Sequence, residues 1–350
     1  MNTFFLDRLN SEPHALAFAG QSTPWPVALA DQSANPALDE ALHTHAAAAQ
    51  ALLYPVSAEL LATTGRPVDL FGFEPNPARL GAAAAASASV PGIALTQLGA
   101  LLDAAALGYN PTQAKPVAVL GHSQGVLAVH MVQAICEAGS IDAAAAKIDE
   151  ILAIATLIGV AGTRQARQLG LAARHGEATP MLSVKDITRA QVDALIERVD
   201  GARGPIAVAV TNSATHYVLS GYPEDLAAFG VEVAKEHKRQ AQLREEKVRG
   251  GRVFNPVLEY LDVTLPFHSP LMADAVSQAV AWAEACGINA DHARELAAEV
   301  LLNHVDWDAR VRDLMKSTDP SALWVLDFGP GNTVGKLFST VAQGPGVGVV

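Results

Sequence analysis

The chain has 350 residues, of which 50% are hydrophobic and 17% charged, so it can form one large or two modest packed domains. Its 24 basic and 36 acidic residues give a formal charge of −12, which argues against a nucleic-acid partner. Two lone cysteines, the lack of a signal-peptide pattern and the lack of a long uninterrupted apolar run favour a cytoplasmic protein without a membrane partner.

The first predicted element is a buried strand at His14–Gln21, which ends at a glycine. Helical periodicity follows over residues 36–63 and 91–107. The continuous apolar run Pro116–Leu120 is typical of a strand buried on both faces of a parallel sheet. It leads directly into Gly121–Gly125 and a long helix, so this half of the chain predicts an α/β domain.

The middle of the chain alternates short strands and helices. Strands are predicted at Met181–Val184, Ile206–Val210, His216–Ser220 and Val257–Thr264, with helices at Thr188–Val199 and Pro223–Arg239. This alternation predicts a small ferredoxin-like α+β subdomain over residues 178–266, inserted into a large subdomain of residues 1–177 and 267–350. Trp324–Phe328 predicts another buried strand, and the strand-like end Gly346–Val350 suggests a piece of a longer polypeptide.

Gly121–Gly125 matches the G-x-S-x-G pattern of a nucleophile turn. A glycine two residues to either side of Ser123 leaves room for a tight strand-to-helix turn that lifts the hydroxyl clear of the sheet. The serine would then lie at a helix N-terminus, where the backbone N–H of Gln124 can stabilise an oxyanion. The buried strand before this turn and the helix after it favour a nucleophile over an ordinary glycine turn.

A serine hydroxyl needs a neighbouring base to become a nucleophile. Among the 11 histidines, His268 lies between Pro266 and Pro270 where a strand leads into a helix, and this fixed position predicts the base. His122 is adjacent to the serine and is expected to point away from it, with a packing and hydrogen-bonding role. His304 is undecided, and the remaining histidines are predicted to be structural or on the surface.

Four motifs occur in order along the chain. They are Phe18-Ala19-Gly20-Gln21-Ser22, Gly121-His122-Ser123-Gln124-Gly125, Pro266-Phe267-His268-Ser269-Pro270-Leu271-Met272 and Asp327-Phe328-Gly329-Pro330-Gly331. With this set the chain resembles acyl-carrier-protein acyltransferases of the malonyl/acetyl type, most of all the N-terminal acetyltransferase domain of bacterial type I fatty acid synthases. The resemblance covers nearly the whole chain and implies an α/β-hydrolase-like large subdomain with a parallel sheet.

The resemblance also implies the roles of particular residues. Ser123 and His268 would form a catalytic pair without the carboxylate of a full triad, and a backbone oxygen near Val300 would orient the histidine. The backbone N–H groups of Gln21 and Gln124 would form the oxyanion hole.

The implied reaction moves an acyl group from a coenzyme A thioester to the serine, and then to the phosphopantetheine thiol of an acyl carrier protein. Asn212 would border the acyl pocket. The resemblance implies no metal and no cofactor bound for catalysis. The implied partners are acetyl-CoA, an acyl carrier protein domain and the other domains of a fatty acid synthase multienzyme.

The expected acyl group depends on a position in the helix after the motif helix. Malonyl-transferring members of the family carry an arginine there, whereas Lys147–Ile158 contains none and the position falls near Ala153 or Ile154. A buried malonyl carboxylate without a cationic partner would be costly. An uncharged short acyl group, acetyl, is therefore expected.

Three alternatives remain open. The chain is a malonyl/palmitoyl transferase of the same family if Arg164 or Arg167 reaches the pocket. It is a serine thioesterase or esterase if a carboxylate completes a triad, although Asp262 lies too close to His268 in sequence to be a natural choice. It is a non-catalytic scaffold if Ser123 is never acylated.

Overall fold

The computed structural model describes residues 12–69, 85–171, 178–245, 254–319, 323–342 and 348–349. The strands in these ranges are β1 (His14–Phe18), β2 (Ala118–Gly121), β3 (Met181–Lys185), β4 (Ala207–Ser213), β5 (His216–Ser220), β6 (Val257–Tyr260), β7 (Val305–Asp306), β8 (Trp324–Asp327) and β9 (Gly348–Val349). They form two sheets, with strand orders β2-β1-β8-β9 and β6-β3-β5-β4-β7.

Helices surround both sheets. They are α1 (Trp25–Ser33), α2 (Pro36–Leu52), α3 (Ser57–Thr64), α4 (Ala86–Ala106), α5 (Pro111–Ala114), α6 (Val126–Ala138), α7 (Ile141–Gln168), α8 (Arg189–Ile196), α9 (Pro223–Glu245), α10 (Ala273–Ala285), α11 (Ala290–Leu301), α12 (Trp307–Ser317) and α13 (Thr333–Ala342). The predicted α/β class, with a parallel sheet and a separate second sheet, is confirmed.

The first sheet is parallel at every neighbouring pair. Its central strand β1 is completely buried along its length, as expected for a strand covered by helices on both faces. The carboxyl ends of β1, β2 and β8 therefore meet at one edge of the sheet. The first, second and fourth sequence motifs follow these three ends and so come together at that edge.

The second sheet has the topology predicted for a ferredoxin-like unit. Its chain order is β3-α8-β4-β5-α9-β6, and β6, β3, β5 and β4 lie side by side with antiparallel pairing at each contact. β7 adds a fifth strand, because Val305–Asp306 pairs in parallel with Val210–Thr211 at the edge of β4. This strand comes from outside residues 178–266, so the second sheet draws on both predicted parts of the chain.

α4 is the helix at the centre of the larger core. It begins at Ala86 rather than near Pro91, and its first N–H groups are accepted by the hydroxyls of Thr264 and Thr163. By length and composition α4 could cross a membrane, but 78% of its most apolar window is buried inside the protein. Helices α7, α1, α2 and α6 pack against it.

α4 and α7 cross at a point where one of them must lack a side chain. A Cβ on Gly159 of α7 would lie 2.3 Å from the carbonyl oxygen of Ala86, which is backbone and cannot turn aside. We expect Gly159→Ala to lower the free energy of unfolding by about 2–3 kcal/mol through overpacking. The shift of the urea midpoint measures this change.

Gly230 provides the matched control, because it also lies within a helix, α9. A Cβ there would meet only the Leu258 side chain, at an ordinary 3.8 Å. Gly230→Ala should therefore stabilise the protein by up to about 1 kcal/mol through helix propensity. Equal urea midpoints for the two variants would contradict the close-packing explanation.

Candidate active site

Ser123 lies on the sharp turn between β2 and α6. Its φ of 54° is left-handed, a conformation that is strained for a residue with a side chain and recurs at functional sites. A Cβ on Gly121 would lie 2.4 Å from the Val126 nitrogen, and a Cβ on Gly125 would lie 2.3 Å from the Phe18 carbonyl oxygen. Both flanking glycines are therefore required by contact with backbone atoms, as the motif predicts.

His268 contacts this serine although it lies 145 residues farther along the chain. Its Nε2 lies 2.7 Å from the Ser123 hydroxyl, and its Nδ1 lies 2.7 Å from the backbone carbonyl oxygen of Asn303. A carbonyl can only accept, so Nδ1 carries the proton and Nε2 has a free lone pair for the hydroxyl proton. The imidazole is thus held in the tautomer that a general base needs. His268 also has a left-handed φ, of 55°.

The backbone carbonyl that bonds to His268 belongs to Asn303. The sequence analysis expected the carbonyl of Val300 in this role, and that expectation is wrong. Val300 lies inside α11, where its carbonyl runs along the helix axis. The helix ends at Leu301, and the N–H of Asn303 still bonds back to Ala298 at 2.8 Å. The chain then turns outward, and the Asn303 carbonyl faces the imidazole.

Burial controls the protonation of His268. The residue is 2% exposed, and burial lowers its pKa from 6.5 to about 3. The Asn303 hydrogen bond opposes this shift, while His122, His304 and Arg310 reinforce it by charge. The resting imidazole is therefore neutral. Its protonated form becomes favourable only when a negative charge develops beside it.

The loop after β1 contacts the serine turn. A Cβ on Gly20 would lie 2.8 Å from the Ser123 Cβ and 3.3 Å from its hydroxyl oxygen, so only glycine allows this approach. The side-chain amide of Gln21 donates to Oε1 of Gln124, and Gln124 in turn donates to the Val90 carbonyl at 3.2 Å. The structure thus brings the Gln21 side chain to that of Gln124, the residue that follows Ser123.

Asn212, on β4, joins the second sheet to the serine turn. Its Oδ1 accepts from Nε2 of His122 at 2.8 Å, and its amide lies 3.4 Å from Nε2 of His216. The Ser183 hydroxyl also lies 3.0 Å from that His216 nitrogen. Burial lowers the pKa of both histidines, that of His216 to about 4, so this network is uncharged.

The segment after α11 supplies residues that the sequence analysis did not select. Besides Asn303, these are His304, bonded to the Val208 carbonyl at 2.8 Å, and Arg310, which donates to the Gly121 carbonyl at 3.0 Å. The Trp307 ring packs edge-on against His122, with ring centroids 5.4 Å apart. No periodicity or motif marks these residues, because their contacts form only when α12 packs against the serine turn.

The predicted acyl-pocket residues of α7 are completely buried. Ala153 and Ile154 both have 0% exposure and belong to the larger apolar core. The two arginines further along α7 bond elsewhere: Arg164 donates to Gln278 on α10 at 2.9 Å, and Arg167 donates to the Thr63 carbonyl. The buried side chains of α7 around Ala153 and Ile154 are therefore uncharged.

Comparisons with known proteins show which sequences this chain is similar to. The family model described as fatty acid synthase central AT domain matches residues 180–260. The fatty acid synthase β subunit TOXC of Cochliobolus carbonum is 27% identical over 310 residues, which cover 76% of this chain and 14% of that protein. The β subunit hexB of Dothistroma septosporum is 25% identical over 267 residues, covering 66% of this chain and 13% of that protein.

The fold is shared with solved acyltransferase structures. MCAT from Mycobacterium tuberculosis superposes with a TM-score of 0.61 at 20% identity, and the match covers 96% of each chain. This chain spans about one seventh of the length of the first two β subunits it matches. The family-model match and the β-subunit relatives thus show a sequence similarity to fatty acid synthase acyltransferase regions, and the solved structures share the fold.

Proposed function

We propose that this chain is the acetyltransferase domain of a cytoplasmic fatty acid synthase. It moves an acetyl group from acetyl-CoA to Ser123, and then to the phosphopantetheine thiol of an acyl carrier protein domain. The observation that carries the proposal is the 2.7 Å contact between the Ser123 hydroxyl and Nε2 of a histidine whose Nδ1 is held by a backbone carbonyl. The reaction uses side-chain and backbone groups of this chain, together with the thiols of coenzyme A and phosphopantetheine.

In the first half-reaction, Nε2 of His268 takes the Ser123 proton as the hydroxyl oxygen attacks the thioester carbonyl. The carbon–sulfur bond then breaks, and the coenzyme A sulfur leaves with the proton from His268. The product is an acetyl ester of Ser123 and free coenzyme A.

The oxyanion formed during attack is stabilised by the backbone N–H groups of Gln21 and Gln124. Donors already in place when the charge develops contribute more than water, which would have to reorient. The negative oxyanion also favours the protonated form of His268, whose pKa is otherwise held low by burial. The two charges therefore form together.

In the second half-reaction, His268 takes the proton of the phosphopantetheine thiol as its sulfur attacks the acetyl-serine. The ester bond breaks, the serine oxygen regains the proton, and the new thioester leaves. A thiol must react faster than water at this stage, and the buried position of His268 limits the access of water.

An acetyl group is proposed because the α7 side chains around Ala153 and Ile154 offer no charge, and Arg164 and Arg167 donate to partners elsewhere. A malonyl carboxylate would have to leave water and find a cation there. An acetyl methyl group needs only apolar contact.

Malonyl transfer is the second candidate, and two observations favour it. Solved structures with this fold include malonyl transacylases, among them one in complex with its type II PKS acyl-carrier protein, which shares 17% identity and a TM-score of 0.60. Arg310 also places a guanidinium 3.0 Å from the Gly121 carbonyl, two residues before the serine. If Arg310 binds a malonyl carboxylate, Arg310→Gln should lower malonyl loading much more than acetyl loading.

A serine hydrolase is less well supported. Such enzymes place a carboxylate behind the histidine, whereas Nδ1 of His268 is bonded to the carbonyl of Asn303.

Acylation of Ser123 can be followed as a mass adduct. Brief incubation with acetyl-CoA should add one acetyl mass to the protein, and Ser123→Ala should remove the adduct completely because the acceptor oxygen is gone. Malonyl-CoA should give little adduct. Intact-mass spectrometry measures all three.

The other outcomes of that experiment are informative. A malonyl adduct of equal or greater yield would overturn the acetyl assignment. Rapid release of free coenzyme A without an adduct, dependent on Ser123, would favour a hydrolase. No reaction with either thioester would favour a scaffold.

The pH dependence of Ser123 acylation follows from the lowered pKa of His268. Because burial holds the pKa of His268 at about 3 instead of 6.5, the base stays neutral as the pH falls. The single-turnover rate of acetyl-Ser123 formation should therefore stay level from pH 8 to about pH 5, since a base titrates only near its own pKa. Quenched-flow mass spectrometry measures this rate, with circular dichroism at each pH to verify folding. A halving of the rate near pH 6.5 in folded protein would show that His268 has an ordinary pKa.

A further inference from the structure

Gln97 lies on the central helix α4 and is completely buried, with 0% exposure. Its side-chain nitrogen donates to the carbonyl oxygen of Ala19 at 2.7 Å and to that of Gly329 at 3.1 Å. An amide NH₂ has two N–H groups, and here each finds one carbonyl. A buried glutamine that binds two separate loops holds them in a fixed relative position.

These two carbonyls belong to the loops at the edge of the parallel sheet. Ala19 follows β1 and directly precedes Gly20, which lies against Ser123. Gly329 follows β8, and its oxygen also accepts the N–H of Ala19 at 3.1 Å. Farther along the same loop, the Thr23 hydroxyl donates to the Gly20 carbonyl at 3.1 Å.

We propose that Gln97 is a positioning residue for the oxyanion hole. By holding the Ala19 carbonyl, it fixes the peptide that leads into Gly20 and so aims the Gln21 N–H at the oxygen of the reacting carbonyl. This inference rests on the proposed acyl transfer through Ser123. It assigns to Gln97 no contact with the substrate and no effect on the Ser123–His268 pair.

The need for such a holder follows from Gly20. The position must be glycine, because a Cβ would collide with Ser123, but glycine is also the residue with the greatest backbone freedom. The loop next to the reacting atom is therefore intrinsically flexible. An oxyanion donor that moves away from its place loses most of its effect, since it acts only within hydrogen-bond distance of the developing charge.

The test replaces Gln97 with methionine, which has a similar length and no N–H donor. The maximal single-turnover rate of acetyl-Ser123 formation should fall about 10- to 100-fold, somewhat less than the loss of a whole oxyanion donor. The acetyl-CoA concentration at half-maximal rate should stay within about twofold, because binding of the ground-state thioester needs no oxyanion donor.

Gln50→Met is the matched control. Gln50 on α2 also donates its side-chain amide to a backbone carbonyl, that of Val68 at 2.9 Å, but belongs to no loop of the site. This variant should acylate at the wild-type rate. A similar loss in both variants would mean that a general loss of stability, and not loop position, slows the reaction.

A second readout separates the oxyanion hole from the rest of the site. In Ser123→Cys protein, alkylation of the new thiol by iodoacetamide displaces iodide and forms no oxyanion. Adding Gln97→Met should leave this alkylation rate unchanged, as measured by peptide mass mapping that distinguishes Cys136 and Cys286. Slower alkylation would show that Gln97 supports the Ser123–His268 pair itself and would overturn the inference.

The inference and the proposed function fail in different ways. If wild-type protein forms no acyl-serine, the proposed function fails and the inference fails with it. If wild type is acylated and Gln97→Met is acylated equally fast, only the inference is wrong. If Gln97→Met does not fold, Gln97→Asn takes its place, because it keeps the amide but withdraws it by one methylene, and the same slow acylation with unchanged alkylation is expected.

Discussion

The turn at Ser123 has no room for a side chain two residues before or two residues after the serine. Gly121 faces the backbone of α6 and Gly125 faces the carbonyl of β1, each within 2.4 Å of where a Cβ would stand. This close packing forces the serine into a left-handed conformation and directs its hydroxyl toward His268. The approach of Gly20 to the serine depends on the same turn. A wider turn would separate the serine from both His268 and the Gly20 loop.

One short segment contacts the serine turn, His268 and the second sheet. Residues 301–310 run from the end of α11 through β7 into α12. The Asn303 carbonyl bonds to His268, and Val305 lies in the edge strand that β7 adds to the second sheet. The Trp307 indole packs against His122, and Arg310 donates to the Gly121 carbonyl. This stretch of backbone therefore links the second sheet to His268, and a shift of β7 would change the orientation of His268.

Burial lowers the pKa of three histidines in and around the site. His122 and His216 both have pKa values lowered by desolvation, as does the base. In a site of low polarity, hydrogen bonds are electrostatically stronger and an isolated charge is unfavourable. The only pair of charges that the proposed reaction creates, an imidazolium and an oxyanion, arises on neighbouring groups. That arrangement suits a reaction in which a thiol and not water must take the acyl group.

The sequence by itself determined the parts of this protein that depend on local sterics. The glycines around Ser123 and the prolines around His268 mark the two residues of the proposed catalytic pair, and the alternation between residues 178 and 266 predicts a ferredoxin-like sheet. The tertiary structure alone decided which carbonyl holds His268, that β7 joins the second sheet, and that Gln97 reaches the loop before Gln21. Every residue has a backbone carbonyl, and the sequence around a glutamine on an apolar helix does not indicate which groups its side chain contacts. Their roles depend on where packing directs each backbone oxygen, and that direction is set by elements far apart in the chain.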